Sequence, residues 1–251
     1  MSGSREHEVT QAFVSLANSL VDTFDVVDLL SGLTADCARL LDIASAGVLL
    51  ADRRGALHVV AASSEATRDL ELFQLQRDQG PCLDCFHSGT AVSVASLEEE
   101  SDRWPQFADA AESLGFASVH AVPLRLRDHV LGALGLFGTE AGALAGDDLD
   151  LAQALAHVGS VALAQGTAVA DSAAVTEQLQ SALDSRVVLE QAKGVISQRG
   201  HLEMDAAFAA LRRFARDHNR RLAEVARDVV SRALPAEQVV EHARSKAALG
   251  R

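Results

Sequence analysis

Residues 118–137 have the sequence SVHAVPLRLRDHVLGALGLF. Two apolar runs, Ser118–Leu124 and Val130–Phe137, flank the charged segment Arg125–His129. Apolar runs that a short polar segment separates are typical of a β-hairpin. Pro123 lies within the first run, and because proline has no backbone N–H it is expected at an edge or near a strand end. The stretch therefore predicts two paired strands that complete a sheet.

The residues before this hairpin predict more strands with helices between them. A second hairpin is predicted from Ala46–Ala51 and Leu57–Ala62, which flank a turn containing Gly55. A short strand is expected at Ala91–Ala95, and apolar residues at helical spacing predict two early helices. Further helices are predicted over 64–76 and 103–114. Separated hairpins with intervening helices predict an α+β fold around a mainly antiparallel sheet with flanking helices.

The net charge of −13 is divided unevenly along the chain. Residues 1–178 contain 9 Lys and Arg against 26 Asp and Glu, whereas residues 179–251 contain 13 against 9. The first segment therefore carries −17 and the second +4. Such asymmetry predicts two tasks on one chain, with the basic segment a candidate for binding a polyanion.

Composition also restricts the class of protein. With 48% hydrophobic residues the chain can bury a core. No run reaches the roughly 18–20 apolar residues of a membrane span, and Met1–Thr10 does not resemble a secretory signal. Three cysteines do not form a disulfide framework. These observations predict a soluble, cytoplasmic protein with no membrane partner.

From Asp147 the chain changes to long, alanine-rich helix. A weak apolar stripe includes Leu151, Leu155, Val158, Ala162, Val169, Val175, Leu179 and Leu183. Its spacing drifts between three and four residues, which makes it a poor heptad repeat. We expect a connecting helix, which either pairs with its copy in a homodimer or is a solvated linker.

The final segment predicts three short amphipathic helices. Val188, Ala192, Val195 and Ile196 share a face of the first, and Gly200 is expected to end it through a positive φ. The second, at about 203–217, has an apolar stripe that contains Phe208 and Phe214, with arginines opposite. The third ends before Pro235. These helices can close a small core that presents basic side chains outward.

This segment closely resembles the ANTAR domain. The matching motifs are Ala192-Lys193-Gly194, Ala207-Phe208, Leu211-Arg212, Ala215, Asn219 and Glu224-Val225-Ala226. Ile196-Ser197 departs from the apolar pair that many members carry. The resemblance implies a three-helix RNA-binding module that is active in transcription antitermination and commonly works as a dimer on two RNA hairpins.

The residue chemistry agrees with an RNA partner. Arginine binds phosphate oxygens through a planar fork of donors, and glycine permits close approach of a backbone. Lys193, on the polar side of the first helix, is the strongest single candidate. The other candidate RNA-binding residues are Arg186, Gly194, Arg199, Arg212, Arg213, Arg216, Asn219 and Arg220.

The N-terminal part resembles a GAF domain. The residues that carry this resemblance are Gly80-Pro-Cys-Leu-Asp84, Trp104-Pro-Gln-Phe107, Gly115–Leu124 and Leu131–Phe137. The order of the two matches is similar to GAF–ANTAR regulators of the actinobacterial type. The predicted organisation is a sensory domain over 8–165, a helical linker over 166–184, an ANTAR domain over 185–235 and a tail over 236–251. The resemblance implies a small-molecule signal, but neither its identity nor a cofactor follows.

Cys82, Cys85 and His120 are the candidate ligand-pocket residues. Cys82-x-x-Cys85-x-His87 could supply soft metal ligands or a redox pair, but a lone Cys-x-x-Cys motif is a weak metal signal. The interpretation is structural thiols, with no metal site and no catalytic residues.

Two alternatives remain at this stage. Three short helices also form helix-turn-helix modules, which makes a DNA-binding regulator possible. A GAF-fold thiol reductase of the methionine sulfoxide type would use cysteines in its pocket, but it would leave the basic tail without a role.

Overall fold

The computed structural model describes residues 2–18, 25–52, 54–165 and 172–249, with side chains for 5–16, 25–52, 54–163 and 185–245. Over these ranges there are ten helices and five strands. The elements are α1 (Ser2–Asn18), α2 (Val26–Leu40), β1 (Ser45–Ala51), β2 (Leu57–Ala62), α3 (Glu65–Arg77), α4 (Pro81–Ser88), β3 (Val92–Val94), α5 (Pro105–Ser113), β4 (Ser118–Leu126), β5 (His129–Gly138), α6 (Gly146–Gln165), α7 (Ser172–Gly200), α8 (Met204–Asp217), α9 (Leu222–Val230) and α10 (Ala236–Leu249).

The five strands form one antiparallel sheet in the order β2-β1-β5-β4-β3. Both predicted hairpins are confirmed, and β5 lies at the centre of the sheet, where Leu134 pairs with Val48 on one side and Val122 on the other. Strand β3 pairs with β4 only over Val119–Ala121. Pro123 lies beyond that segment, where β4 has no second neighbour, as its missing N–H donor predicts.

Successive side chains of a strand point to opposite faces of the sheet, so each strand contributes to two separate apolar layers. Val48 and Leu50 of β1 pack into the cluster that includes α1, α2 and α6, whereas Leu49 packs into the cluster with α3, α4 and α5. The predicted α+β fold, an antiparallel sheet with flanking helices, is therefore confirmed. Elements α1–α6 together with the sheet are called the N-terminal domain below.

Helix α7 joins the predicted linker to the first predicted helix of the ANTAR segment without a break between Ser172 and Gly200. Residues 166–171 of the predicted linker, and the side chains of the rest of it, lie outside the described part of the chain. The apolar stripe at Val169, Val175, Leu179 and Leu183, with the pairing in a dimer that it suggests, is therefore still a prediction.

Helices α7 (from Ser185), α8, α9 and α10 are called the C-terminal module. Its second and third helices bury their apolar stripes, as predicted. The segment predicted as a tail forms α10, which buries Ala236, Val239 and Val240 against α7 and α8. Helix α7 ends at Gly200, but the predicted reason is wrong. His201 takes the positive φ of 50°, while a Cβ on Gly200 would meet Val240 Cγ2 at 2.8 Å.

The module is docked on the N-terminal domain. One continuous apolar cluster contains Val27 and Leu30 of α2 together with Leu189 of α7 and Leu211 of α8. None of the described helices has an apolar stretch long enough to cross a membrane.

Candidate nucleic-acid interface

Helix α8 presents Arg213 and Arg216 to solvent because Leu211, Phe214 and Ala215 occupy its buried side. Within the described part of the chain neither arginine has an ion-pair partner. Beyond the helix end lies Asn219, which is exposed and has a positive φ of 50°. Guanidinium groups that make no intramolecular ion pair can bind phosphate without first losing a partner.

Arg220 and Arg199 are also predicted contact residues, and each faces a carboxylate of the module. Arg220 NH2 donates to Asp228 Oδ2 at 2.6 Å, and Arg199 Nε lies 3.7 Å from Glu237 Oε1. Gly194 is exposed, and a Cβ added to it would meet no atom within 4 Å. Packing inside the described structure therefore does not require a glycine there, which leaves room for the approach of a partner.

Lys193, the strongest sequence candidate, is buried, with only 6% of its surface exposed. Its side of α7 faces the N-terminal domain, and Nζ lies 2.6 Å from Glu65 Oε1 on α3 and 3.3 Å from Glu190 Oε2. Burial raises the pKa of Glu65, but the hydrogen bond and charge of Lys193 and the charge of Arg68 outweigh it, so the pKa is lowered overall. The carboxylate is thus held ionised against the lysine.

Arg212 makes a second ion pair across the same contact. Its Nε donates to Asp28 Oδ1 at 2.5 Å, and its NH2 donates to the Asp28 carbonyl at 3.3 Å. Two of the predicted RNA-binding cations are thus bound to carboxylates of the N-terminal domain.

Asp25 links the same two parts of the protein through backbone hydrogen bonds. Its Oδ1 accepts from the Val27 and Asp28 amides at the start of α2. Its Oδ2 accepts from the Ala223 amide in the first turn of α9 at 3.0 Å. One carboxylate therefore satisfies the free amides at the starts of two helices from different domains.

Arg186 is mostly buried between the domains and makes no hydrogen bond in the described structure; its NH1 is fully buried without a partner. Burial, and then the nearby charge of Arg68, lower the pKa of Arg186 to about 10. Arg68 itself donates to Glu190 Oε2 at 2.5 Å. Arg186 is thus the predicted contact residue whose charge the surrounding protein stabilises least.

The candidate ligand-pocket residues are not brought together. Cys82 and Cys85 are buried on α4 against one face of the sheet, with free thiols. His120 lies on the opposite face of β4 from Val119 and Ala121, which belong to the same cluster as the cysteines. Its Nδ1 is 2.5 Å from Ser93 Oγ and its Nε2 is 3.3 Å from the Gly142 carbonyl. Among the described residues there is no group of His, Cys, Asp or Glu that could hold a metal ion.

Instead, the cysteines adjoin a buried carboxyl group that sequence analysis missed. Glu71 on α3 is fully buried, its Oε1 lies 3.6 Å from Cys82 Sγ, and its Oε2 accepts from Gln74 Nε2. Burial raises the pKa of Glu71 to about 8, despite the opposing effects of Cys82, Gln74 and Arg186. Two glycines within strands, Gly47 and Gly135, are the sequence feature that goes with this buried group. A Cβ on either would meet Glu71 Oε1 at 2.8 Å.

The thiols beside this carboxyl group are held protonated. Burial raises the pKa of Cys85 to about 12, and burial together with the charge of Glu71 raises that of Cys82 well above its usual range. Because the thiolate is the reactive form of cysteine, this environment disfavours redox chemistry.

Comparison with known families matches both parts of the chain. A model of the GAF domain matches residues 25–164, and a model of the ANTAR domain matches residues 177–230. No curated protein matches the chain.

The chain is also similar to several solved structures, at low sequence identity. The GAF domain from Acinetobacter phosphoenolpyruvate-protein phosphotransferase has 14% identity and a TM-score of 0.50, over 65% of this chain and 96% of that chain. The GAF domain of the Coxiella burnetii phosphoenolpyruvate-protein phosphotransferase has 12% identity and a TM-score of 0.49, over 64% and 95%. Free methionine-R-sulfoxide reductase from Neisseria meningitidis has 17% identity and a TM-score of 0.46, over 61% and 87%. At 14% identity and a TM-score of 0.50, the first of these similarities concerns the fold alone.

Proposed function

The chain belongs to the GAF domain family, whose model covers residues 25–164, and because a model of the ANTAR domain also matches residues 177–230, we propose that it is a signal-gated RNA-binding regulator. It binds paired RNA hairpins through its ANTAR segment and acts in transcription antitermination in the cytoplasm. The N-terminal domain decides whether the cations of the C-terminal module can reach RNA. Two copies, paired through the connecting helix, place two modules side by side, as in GAF–ANTAR regulators of the actinobacterial type.

One observation carries this proposal: cations that are predicted to bind RNA form ion pairs across the contact between the N-terminal domain and the C-terminal module. Lys193 pairs with Glu65, and Arg212 pairs with Asp28. Since Lys193 is buried in the contact and the charge of each cation is already compensated by a carboxylate, the docked arrangement disfavours RNA binding. A signal that favours the undocked arrangement raises RNA affinity by shifting the population between the two.

The surface that stays exposed in the docked arrangement supports RNA as the partner. Arg213 and Arg216 are one turn apart on α8, next to the exposed Asn219. Phe214 is buried and Phe208 is partly buried against the core cluster, so we expect phosphate contacts rather than base stacking on these rings.

Replacing Arg213 and Arg216 with alanine is expected to lower the affinity of the full-length protein for a two-hairpin RNA by about tenfold. Each lost phosphate contact should also reduce the slope of log K against log salt by roughly 1. Titration by fluorescence anisotropy over a range of salt concentrations measures both effects. Neither arginine is buried, so folding should be unaffected.

The matched control is Arg54→Ala with Arg77→Ala, which removes the same charge from exposed positions of the N-terminal domain. This control should bind like the wild type. An Arg213/Arg216 variant with unchanged affinity and salt slope would contradict the assigned surface. Preferential binding of duplex DNA over the hairpins would favour the DNA-binding alternative.

The thiol reductase alternative has less support. Both pocket cysteines are buried and their pKa values are raised, whereas attack on a sulfoxide needs an accessible, reactive thiol. The role that we propose is therefore regulatory rather than enzymatic.

A further inference from the structure

A cavity of about 280 Å³ lies where the C-terminal module meets the N-terminal domain. Its walls come from α2, the end of β2 and α3 on one side, and from α7 and α8 on the other. Three carboxylates line it, Glu65, Glu190 and Asp205. Six cations also line it: Arg68, Arg186, Lys193, Arg212, Arg213 and Arg216. The lining therefore has a positive charge that its own carboxylates do not neutralise.

Two of these cations carry buried donors that nothing in the described structure accepts. They are NH1 of Arg186 and Nε of Arg68, one from each domain. Leaving a charged donor buried without an acceptor costs more free energy than leaving a neutral one, and such a group in a native structure requires an explanation. Both arginines line one cavity, and an anionic molecule there would offset their charge; because these two nitrogens are too enclosed to touch it, it would bind the other nitrogens of the two guanidinium groups.

The lining also indicates the class of anion. Lys193 and Arg212 already pair with carboxylates, and Arg68 pairs with them only through NH1. The rest of the Arg68 guanidinium is therefore left for a ligand together with Arg186, Arg213 and Arg216. Several planar guanidinium groups around one point suit the multiple oxygens and charges of a phosphate group. The volume is at the lower limit for small-molecule sites. Leu189 and Phe208 add an apolar wall on which the rest of a small molecule can pack.

We propose that this interdomain cavity binds a small phosphate-bearing metabolite, which bridges Arg68 of the N-terminal domain and Arg186 of the C-terminal module. A ligand held by both domains favours the docked arrangement over the undocked one. It therefore lowers RNA affinity, and by linkage RNA lowers the affinity for the ligand to the same extent. This regulatory consequence rests on the proposed function, whereas binding of the ligand does not.

Pyrophosphate is the probe, applied to the full-length protein at constant ionic strength and without RNA. At a concentration about 100 times its Kd, it should raise the Tm by roughly 5 °C or more. Malonate, a dicarboxylate without phosphate, should give a smaller shift. No shift with pyrophosphate at millimolar concentration, or an equal shift with malonate, would overturn the proposal.

Arg186→Met tests the residue that the site depends on. Without pyrophosphate its Tm should equal or exceed that of the wild type, because a buried guanidinium without a partner is removed. With pyrophosphate its Tm should not rise. Arg213→Ala, at an exposed position that folding does not require, should show a reduced shift. Arg199→Ala, outside the cavity lining, should respond like the wild type. A full pyrophosphate shift in Arg186→Met would refute the bridge.

The last experiment measures the affinity for a two-hairpin RNA with and without pyrophosphate. In the reference sample, chloride replaces pyrophosphate at equal ionic strength. We expect pyrophosphate to weaken RNA binding by the wild type. The RNA affinity of Arg186→Met should be the same in pyrophosphate as in chloride. Protein that binds RNA without any thermal response to pyrophosphate would disprove the ligand site while sparing the proposed function. A thermal response in a protein that never binds RNA would do the reverse, leaving the site but removing its regulatory role.

Discussion

Glu65→Gln combined with Asp28→Asn is expected to raise the affinity of the full-length protein for a two-hairpin RNA by about 10- to 30-fold. These changes remove two carboxylate charges from the domain contact while keeping the side-chain shapes. Partly exposed ion pairs contribute roughly 1 kcal/mol each, so losing both weakens docking by about 2 kcal/mol. The apparent Kd decreases because a larger fraction of molecules has Lys193 and Arg212 free for RNA.

The matched control for this variant is Glu8→Gln with Asp36→Asn. Both carboxylates pair with Arg39 inside the N-terminal domain, so the change in net charge is the same but the domain contact is unaltered. If the control tightens RNA binding as much as the interface variant, the gain comes from reduced overall repulsion, and the docking model is wrong. An interface variant with unchanged affinity would also contradict it.

Glu71→Gln is expected to be more stable than the wild type by about 5 kcal/mol at pH 9 and by about 2 kcal/mol at pH 6. Burial raises the pKa of Glu71 from 4.5 in the unfolded chain to about 8 in the folded protein. A carboxyl group whose pKa is higher in the folded protein than in the unfolded chain gives its full stabilisation only at pH values below its pKa in the unfolded chain. That contribution is lost as the pH rises from about 4.5 through about 8. Glutamine cannot ionise, so the variant lacks this loss.

Urea unfolding at several pH values between 6 and 9 measures the difference. Glu112→Gln, at an exposed position on α5, serves as the control and should follow the wild type at every pH. Parallel pH profiles for the wild type and Glu71→Gln would show that the buried carboxyl group does not titrate in this range.

Local patterns predicted the elements of the fold well. The two apolar runs in residues 118–137 and the turn at Gly55 predict both hairpins, because apolar runs that a short turn separates can pair with each other. The structure showed a helix where a tail was expected. Helix α10 has a weak stripe of its own, and it is stabilised by distant partners such as Gly200, which no local pattern reveals.

The candidate site was predictable residue by residue, but its environment was not. Sequence analysis placed Lys193 on the polar side of its helix, which is correct within the module alone. Its burial depends on docking against Glu65, 128 positions earlier in the chain, and one helix's periodicity contains no information about such a contact. The same reason explains why Asp25, Asp28 and Glu65 were missed: on their own helices they are typical N-terminal acidic residues.

The shared carboxylate of Asp25 gives the protein an internal reporter of its own state. The Ala223 amide has its acceptor on the other domain, so its hydrogen can exchange with deuterium freely only while the two domains are apart. Exchange at this single amide, followed by NMR, would therefore measure the opening equilibrium directly in unmodified protein, with no RNA and no attached label.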